Sequence, residues 1–290
     1  MDVDFRGNVD DSSRGYVFFS RMNTPFRVYV VVLILFVCVG QRTVGGQSKD
    51  QVDANELLRR AVDKYETAKA SKTRFTYLEL VHTKNFNEKG KQTVNYSELF
   101  DVTYIADLEY LRLLEVNGKR LSGKALEDEQ KRYDDAVRER SALDGRARAK
   151  IQHQRLLNAG IHLGDLLTEY QNTLVGRERV EGCDCVVVDM TPVSPMARKH
   201  YRLLLDPQTE EIRRLDFDQS DDEGDLQKGG SGTESFQYID GIPLILRSHF
   251  DEKAFLANKL MRVVSDHECS RFRKFSVTTT IVPAEAVDKP

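Results

Sequence analysis

From Leu174 to the end of the chain, apolar runs and turn signals alternate, and this pattern constrains the fold more than any other feature. The runs fall at residues 174–180, 185–191, 200–205, 211–217, 234–239, 244–251, 260–264 and 272–282. Glu181-Gly182, Pro192, Asp206-Pro207, Asp240-Gly241 and a Gly- and Asp-rich stretch at 220–232 separate several of them. Runs bounded in this way about every 8–12 residues read as strands of an antiparallel sheet. Period two is visible within them. Tyr201, Leu203 and Leu205 alternate with His200, Arg202 and Leu204, and Leu244, Leu246 and Phe250 stand against Arg247 and His249. A sheet of this kind buries one face and wets the other.

The first half of the chain mixes periods. Residues 53–70 carry Leu57, Leu58, Ala61, Val62 and Tyr65 at helical spacing, with Asp53 and Glu56 placed as a capping box. Residues 73–86, 93–105 and 110–116 read as strands, with turns at 87–90 and at Asn117-Gly118. Residues 122–158 are dense in charge with only a narrow apolar stripe: Leu126, Tyr133, Val137, Ala147 and Ile151. They read as one or two long, solvated helices lying across the sheet, since sustained heptads are absent. Residues 161–170 read as a short apolar helix or connector. The helices are segregated from most strands, so the fold class is α+β, with helices covering the apolar face of one large curved sheet.

Residues 28–40 form an uncharged apolar run of 13 residues, preceded by Arg21 and Arg27. A bilayer-spanning helix needs about 20 apolar residues, whereas a secretory signal core needs roughly 7–15. Val44 and Gly46 fit the small-residue cleavage pattern. Residues 1–46 are therefore read as a signal region with Met22 as the true start, and 47–290 as a single domain that works outside the cytoplasm. An uncleaved anchor is the alternative. Cys38 follows Val37 rather than a small residue, which argues against lipidation.

Charged residues make up 31% of the chain, yet the formal net charge is only −3. So even a balance sets up no broad field for nucleic acid, and no nucleic-acid partner is expected. Export permits disulfides. Cys183 and Cys185 share one face of a strand and are too close to bridge easily, while a bridge from either to Cys269 stays open. The histidines (His82, His153, His162, His200, His249 and His267) lie apart, and no zinc, thiol or nucleophile-elbow motif is present. His267 and Cys269, beside Asp266 and Glu268, are read as an exposed strand or turn rather than a metal site. The acidic run 216–225 fails as an EF-hand: Asp221 stands at the turn-glycine position and Gln227 at the bidentate position. Gly229, Gly230 and Gly232 are read as a flexible loop. No catalytic residue, metal or cofactor is expected, and the protein is read as non-enzymatic.

Several segments together resemble a known family. They are residues 56–66 (ELLRRAVDKYE), 75–84 (FTYLELVHTK), 176–182 (GRERVEG) before the Val-rich run ending Thr191-Pro192, and 201–207 (YRLLLDP). Ile212 with Arg213 and Arg214, and Gly241-Ile242-Pro243, complete the set. The chain resembles the LolA/LolB-like periplasmic lipoprotein-sorting family, which includes the RseB/MucB-like regulators. The resemblance covers most of 53–282, is strongest over 174–250, and is interrupted by the charged insert 122–158. It implies a strongly curved antiparallel sheet forming an unclosed half-barrel, with helices over the concave face and a cavity between them. It also implies a periplasmic carrier of lipid or lipoprotein acyl chains. The alternative is a stress-signalling module whose partner is an envelope membrane protein, with the insert as contact surface. The expected cavity residues are the apolar strand positions Leu113, Tyr201, Leu203, Leu205, Phe236, Tyr238, Leu246 and Phe250.

Overall fold

The computed structural model describes residues 54–158, 163–193, 198–222, 226–256 and 259–274. The signal segment, the Asp53 cap, residues 161–162 of the connector and the run 275–282 lie outside them. Among the described residues no helix is long and apolar enough to cross a membrane.

Helix α1 (Ala54–Lys69) forms where helical spacing predicts it. Leu57, Leu58, Ala61 and Val62 fall on one stripe and are at most 1% exposed, while Arg59 pairs with Glu56 and Asp63 on the wet side. A short 3-10 turn, Ala70–Arg74, leads into the sheet.

The strands are β1 (Phe75–Phe86), β2 (Gln92–Ile105), β3 (Leu108–Val116) and β4 (Lys119–Arg120). After two helices, α2 (Gly123–Ala142) and α3 (Gly145–Asn158), come β5 (Tyr170–Val180), β6 (Cys183–Pro192), β7 (Lys199–Asp206) and β8 (Glu211–Gln219). The last three are β9 (Leu226–Ile239), β10 (Ile242–Leu256) and β11 (Lys259–Lys274). They form one antiparallel sheet of eleven strands in the order β4-β3-β2-β1-β11-β10-β9-β8-β7-β6-β5. The sheet is two meanders joined along a single seam, where β1 meets β11 over Phe75 to Phe86. It does not close, because β4 and β5 are both edges. The fold is thus the expected α+β unclosed half-barrel.

Turn chemistry explains much of the meander. Asn117-Gly118, Glu181-Gly182 and Asp240-Gly241 all take positive φ at both central residues, as a two-residue hairpin turn with the right twist requires.

The segment from β4 to β5 joins the two edges of the sheet, so the helical insert is the strap between them. Its placement corrects the expectation of a solvated helix across the sheet: α2 runs along the free edge of β3. The Glu129 carboxylate accepts from the Leu113 backbone N–H and the Tyr110 hydroxyl, each at 3.2 Å. Arg132 donates to the Leu111 carbonyl at 3.3 Å, and Arg140 to those of Leu108 and Glu109 at 3.0 and 2.8 Å. An exposed edge must satisfy its backbone groups or invite pairing with another chain. Here charged side chains of α2 satisfy them, which is why its apolar stripe can be so narrow. The strap then returns to α1 through a 3-10 turn, Leu163–Leu167, whose Leu163 and Leu166 join the α1 core.

Three further expectations change. A bulge in β10 between Ile245 and Arg247 shifts the alternation by one residue. Leu244 therefore packs with Phe75 and Ile242 in a separate cluster, not beside Phe250. The stretch expected as a loop to Gly232 is strand from Leu226 onward, so Gly229, Gly230 and Gly232 sit in β9. Residues 260–264 and 272–274 belong to one long strand, β11, with no turn at His267. The His267 side chain is only 11% exposed and Cys269 only 4%.

Candidate functional site

The main core lies between α1 and the concave face of β6–β10. Six of the eight expected cavity residues meet there: Tyr201, Leu203, Leu205 and Phe236 are buried against α1, and Tyr238 and Phe250 pack on them half-buried. Leu113 is buried on β3, 7% exposed, outside that cluster. Leu246 is half-buried at the β10 bulge. Leu203 and Leu205 are 0% exposed, so α1 fills the space directly over them.

Beside α1 the same face carries a row of rings. Tyr170 meets Tyr201 at 5.4 Å between centroids, Tyr201 meets Phe217 at 6.3 Å, Phe217 meets Phe250 at 6.1 Å, and Phe250 meets His267 at 5.8 Å. Register explains the row. Gly232 on β9 pairs with Phe217 on β8 and Phe250 on β10, and its missing side chain lets the two rings meet across β9. A methyl there would lie 2.6 Å from Phe217 Cζ and 2.9 Å from Phe250 Cδ1.

Two carboxylates flank this row. Glu234 pairs with Ser248 and Leu215, one pleat from Gly232 toward α1. Glu252 pairs with Val263, one pleat past Phe250 on the other side. Both are half-buried, and neither makes a hydrogen bond or ion pair among the described residues. Burial raises the Glu234 carboxyl above its usual range; the charges of Lys72, His267 and Lys199 pull the other way and do not compensate. Burial raises Glu252 likewise against Lys199. Burial and then the Glu234 charge push the neighbouring Tyr65 hydroxyl up as well. The Lys199 ammonium sits 4.5 Å from the centre of the Phe217 ring, a cation–π contact on the same face. Across the β1–β11 seam, His267 Nδ1 lies 2.9 Å from Glu79 Oε1.

Sequence reasoning passed over Glu234, Glu252 and Glu79, and it read His267 as part of an exposed strand or turn, whereas its side chain is only 11% exposed. The signal was present: Glu234 is in phase with Phe236 and Tyr238, and Glu252 with Phe250 and Ala254. A charge on the apolar phase of a strand is the mark of a buried or site-lining group.

The opposite face holds an open groove of about 350 Å³, lined by Leu80, His82, Thr233, Arg247, His249, Asp266 and Glu268 among others. His249 Nδ1 lies 2.6 Å from Asp266 Oδ1. Among the described residues no group of three His, Cys, Asp or Glu side chains is arranged to hold a metal ion. All three described cysteines are free. Cys183 and Cys185 share one face with their sulfurs 3.2 Å apart, and burial pushes the Cys185 thiol up to about 12.

No protein-family model and no curated protein matches the chain. Among solved structures it is similar to a LolA superfamily protein from Nitrosomonas europaea, at 12% identity and TM-score 0.31, covering 78% of this chain and 94% of that one. It is also similar to a lipoprotein-sorting protein domain from Vibrio parahaemolyticus, at 12% identity and TM-score 0.32, covering 77% and 94%. A third is the Pseudomonas aeruginosa MucA/MucB complex, at 12% identity and TM-score 0.24, covering 78% and 100%.

Proposed function

We propose that this chain is a non-enzymatic carrier or binding protein for the acyl chains of lipids or lipoproteins, exported to the periplasm. The observation that supports it best is the row of rings from Tyr170 to Phe250 beside α1, with Tyr170 and Phe250 only half-buried. An acyl chain laid along such a track gains about 0.8 kcal/mol per buried CH₂. α1 covers the adjoining apolar strands with a single stripe, so it is the smallest piece that must lift to lengthen the track. Native mass spectrometry and lipid extraction of the purified protein test this reading. Co-purified acyl lipid is the expected result; repeatedly empty protein that also ignores fluorescent acyl probes with anionic, neutral and cationic heads rules the reading out.

A second reading, an interaction module for an envelope membrane protein, draws on the outer side of α2. Leu126 is 48% exposed there, among exposed Lys124, Glu127 and Lys131. Reversing the charge of Lys124, Lys131 and Arg138 keeps the β3 edge covered while changing this surface. Loss of a cross-linked envelope partner on reversal supports the reading, and unchanged capture counts against the arm.

A further inference from the structure

We propose that Cys183 and Cys185 are a thiol–disulfide site, closing to a reversible bridge within β6 on reaction with a low-molecular-weight disulfide such as oxidised glutathione. This stands independently of the acyl-binding reading. The two sulfurs are 3.2 Å apart, with the Cys185 S–H donating to the Cys183 sulfur; a disulfide bond is about 2.05 Å long. Closure also draws the Cβ atoms to about 3.8 Å, nearer than an extended strand sets residues i and i+2, so the backbone must pucker. The register leaves room for that. β7 pairs with β6 from Val186 onward, so residues 183–185 are held in the sheet by the β5 ladder alone, next to the Glu181-Gly182 turn. A bridge strained in this way is readily reduced again. Cys269 does not compete: it lies on β11, with four strands between it and β6, about 24 Å along the sheet at about 4.8 Å per strand.

Cys183 is half-buried and Cys185 buried, which sets the order of events. The Cys183 thiol loses its proton and attacks one sulfur of oxidised glutathione, expelling a glutathione thiolate that takes up a proton. The Cys185 thiol then loses its proton and attacks the Cys183 sulfur, expelling the second glutathione in the same way. The protein gives up two hydrogens, and the oxidant gains them as two thiols. A dithiol resists oxidation when its fold stabilises a thiolate. Here burial raises both thiols, Cys185 up to about 12, and the nearby Asp206 carboxylate adds to the rise, so the reduced pair lacks that support.

The full chain, reduced, freed of reductant and incubated with oxidised glutathione in the absence of denaturant, is alkylated and digested with trypsin to test the proposal. The tryptic peptide 180–198 carries both cysteines. It is expected to lose two hydrogens, to take up neither alkyl group nor glutathione, and to regain both thiols with dithiothreitol. The Cys185→Ser variant is expected to keep a lasting glutathione adduct on Cys183. The Cys183→Ser variant is expected to show at least about ten-fold less adduct, because its remaining thiol is buried and protonated. Native circular dichroism checks both variants, and the unaltered chain decides the matter if either fails to fold. Two thiols still open to alkylation in the unaltered chain, a glutathione adduct that persists on it, or a bridge to Cys269 overturns the proposal and leaves acyl binding intact.

Discussion

At Gly232 the absence of one methyl group decides whether the ring row exists. Gly232→Ala places a Cβ against two rings that are themselves held by strand pairing. Overpacking of this kind costs about 1–3 kcal/mol, read as a lower denaturant midpoint with unchanged slope. The turn at Ala106-Asp107 is the converse case. Both residues take positive φ, 51° and 64°, without glycine or asparagine. Ala106→Gly is expected to stabilise by roughly 0.5–1 kcal/mol, the left-handed strain less the extra chain entropy. The carboxylates set opposite pH trends. Glu234 is raised by burial, so its contribution is full below the unfolded value of about 4.3 and is lost as pH rises through the folded value. Glu234→Gln is therefore more stable than the parent near neutrality and indistinguishable from it at about pH 3. Burial works to raise Asp206, but hydrogen bonds from Gln208, Thr209 and Arg213 outweigh it and hold the carboxyl below its usual range. Its contribution is present above the unfolded value and is lost as pH falls through the folded one.

At the scale of elements, α2 is an edge cover. Glu129→Ala removes the acceptor for Leu113 N–H and the Tyr110 hydroxyl and strips Arg132 of its 2.6 Å carboxylate partner. A loss of about 1–3 kcal/mol is expected. Deleting 123–142 exposes the β3 edge altogether, and light scattering should then report self-association; a monodisperse monomer would show that the edge needs no cover. The charge density of residues 122–158 was legible in the sequence, and so was its helical character. Its destination was not, because backbone carbonyls of a distant strand leave no trace in the periodicity of the helix that meets them.

Across the whole molecule, the acyl-binding reading makes α1 the moving part. Its stripe is a single row of apolar side chains, whereas each inner strand is held by two ladders of hydrogen bonds. Bound amphiphile should therefore speed amide exchange in α1 while the amides of β7 and β8 stay protected. Uniform slowing everywhere would mean that the ligand sits on the closed form.

Local physics was readable before any coordinates. Turn dipeptides such as Asn117-Gly118 and Asp240-Gly241, the alternation of Tyr201, Leu203 and Leu205, and the helical stripe of α1 each follow from neighbours within a few residues. They suffice for an antiparallel α+β fold and for six of the residues packed under α1. What the tertiary structure decided depends on partners far along the chain: Glu79 meets His267 across 188 positions. That seam unites the two meanders. The β10 bulge moves Leu244 to another cluster, and strand pairing sets Glu234 and Glu252 on either side of the rings. Periodicity records which face a residue takes, but a bulge resets it, and only the assembled sheet determines what stands opposite.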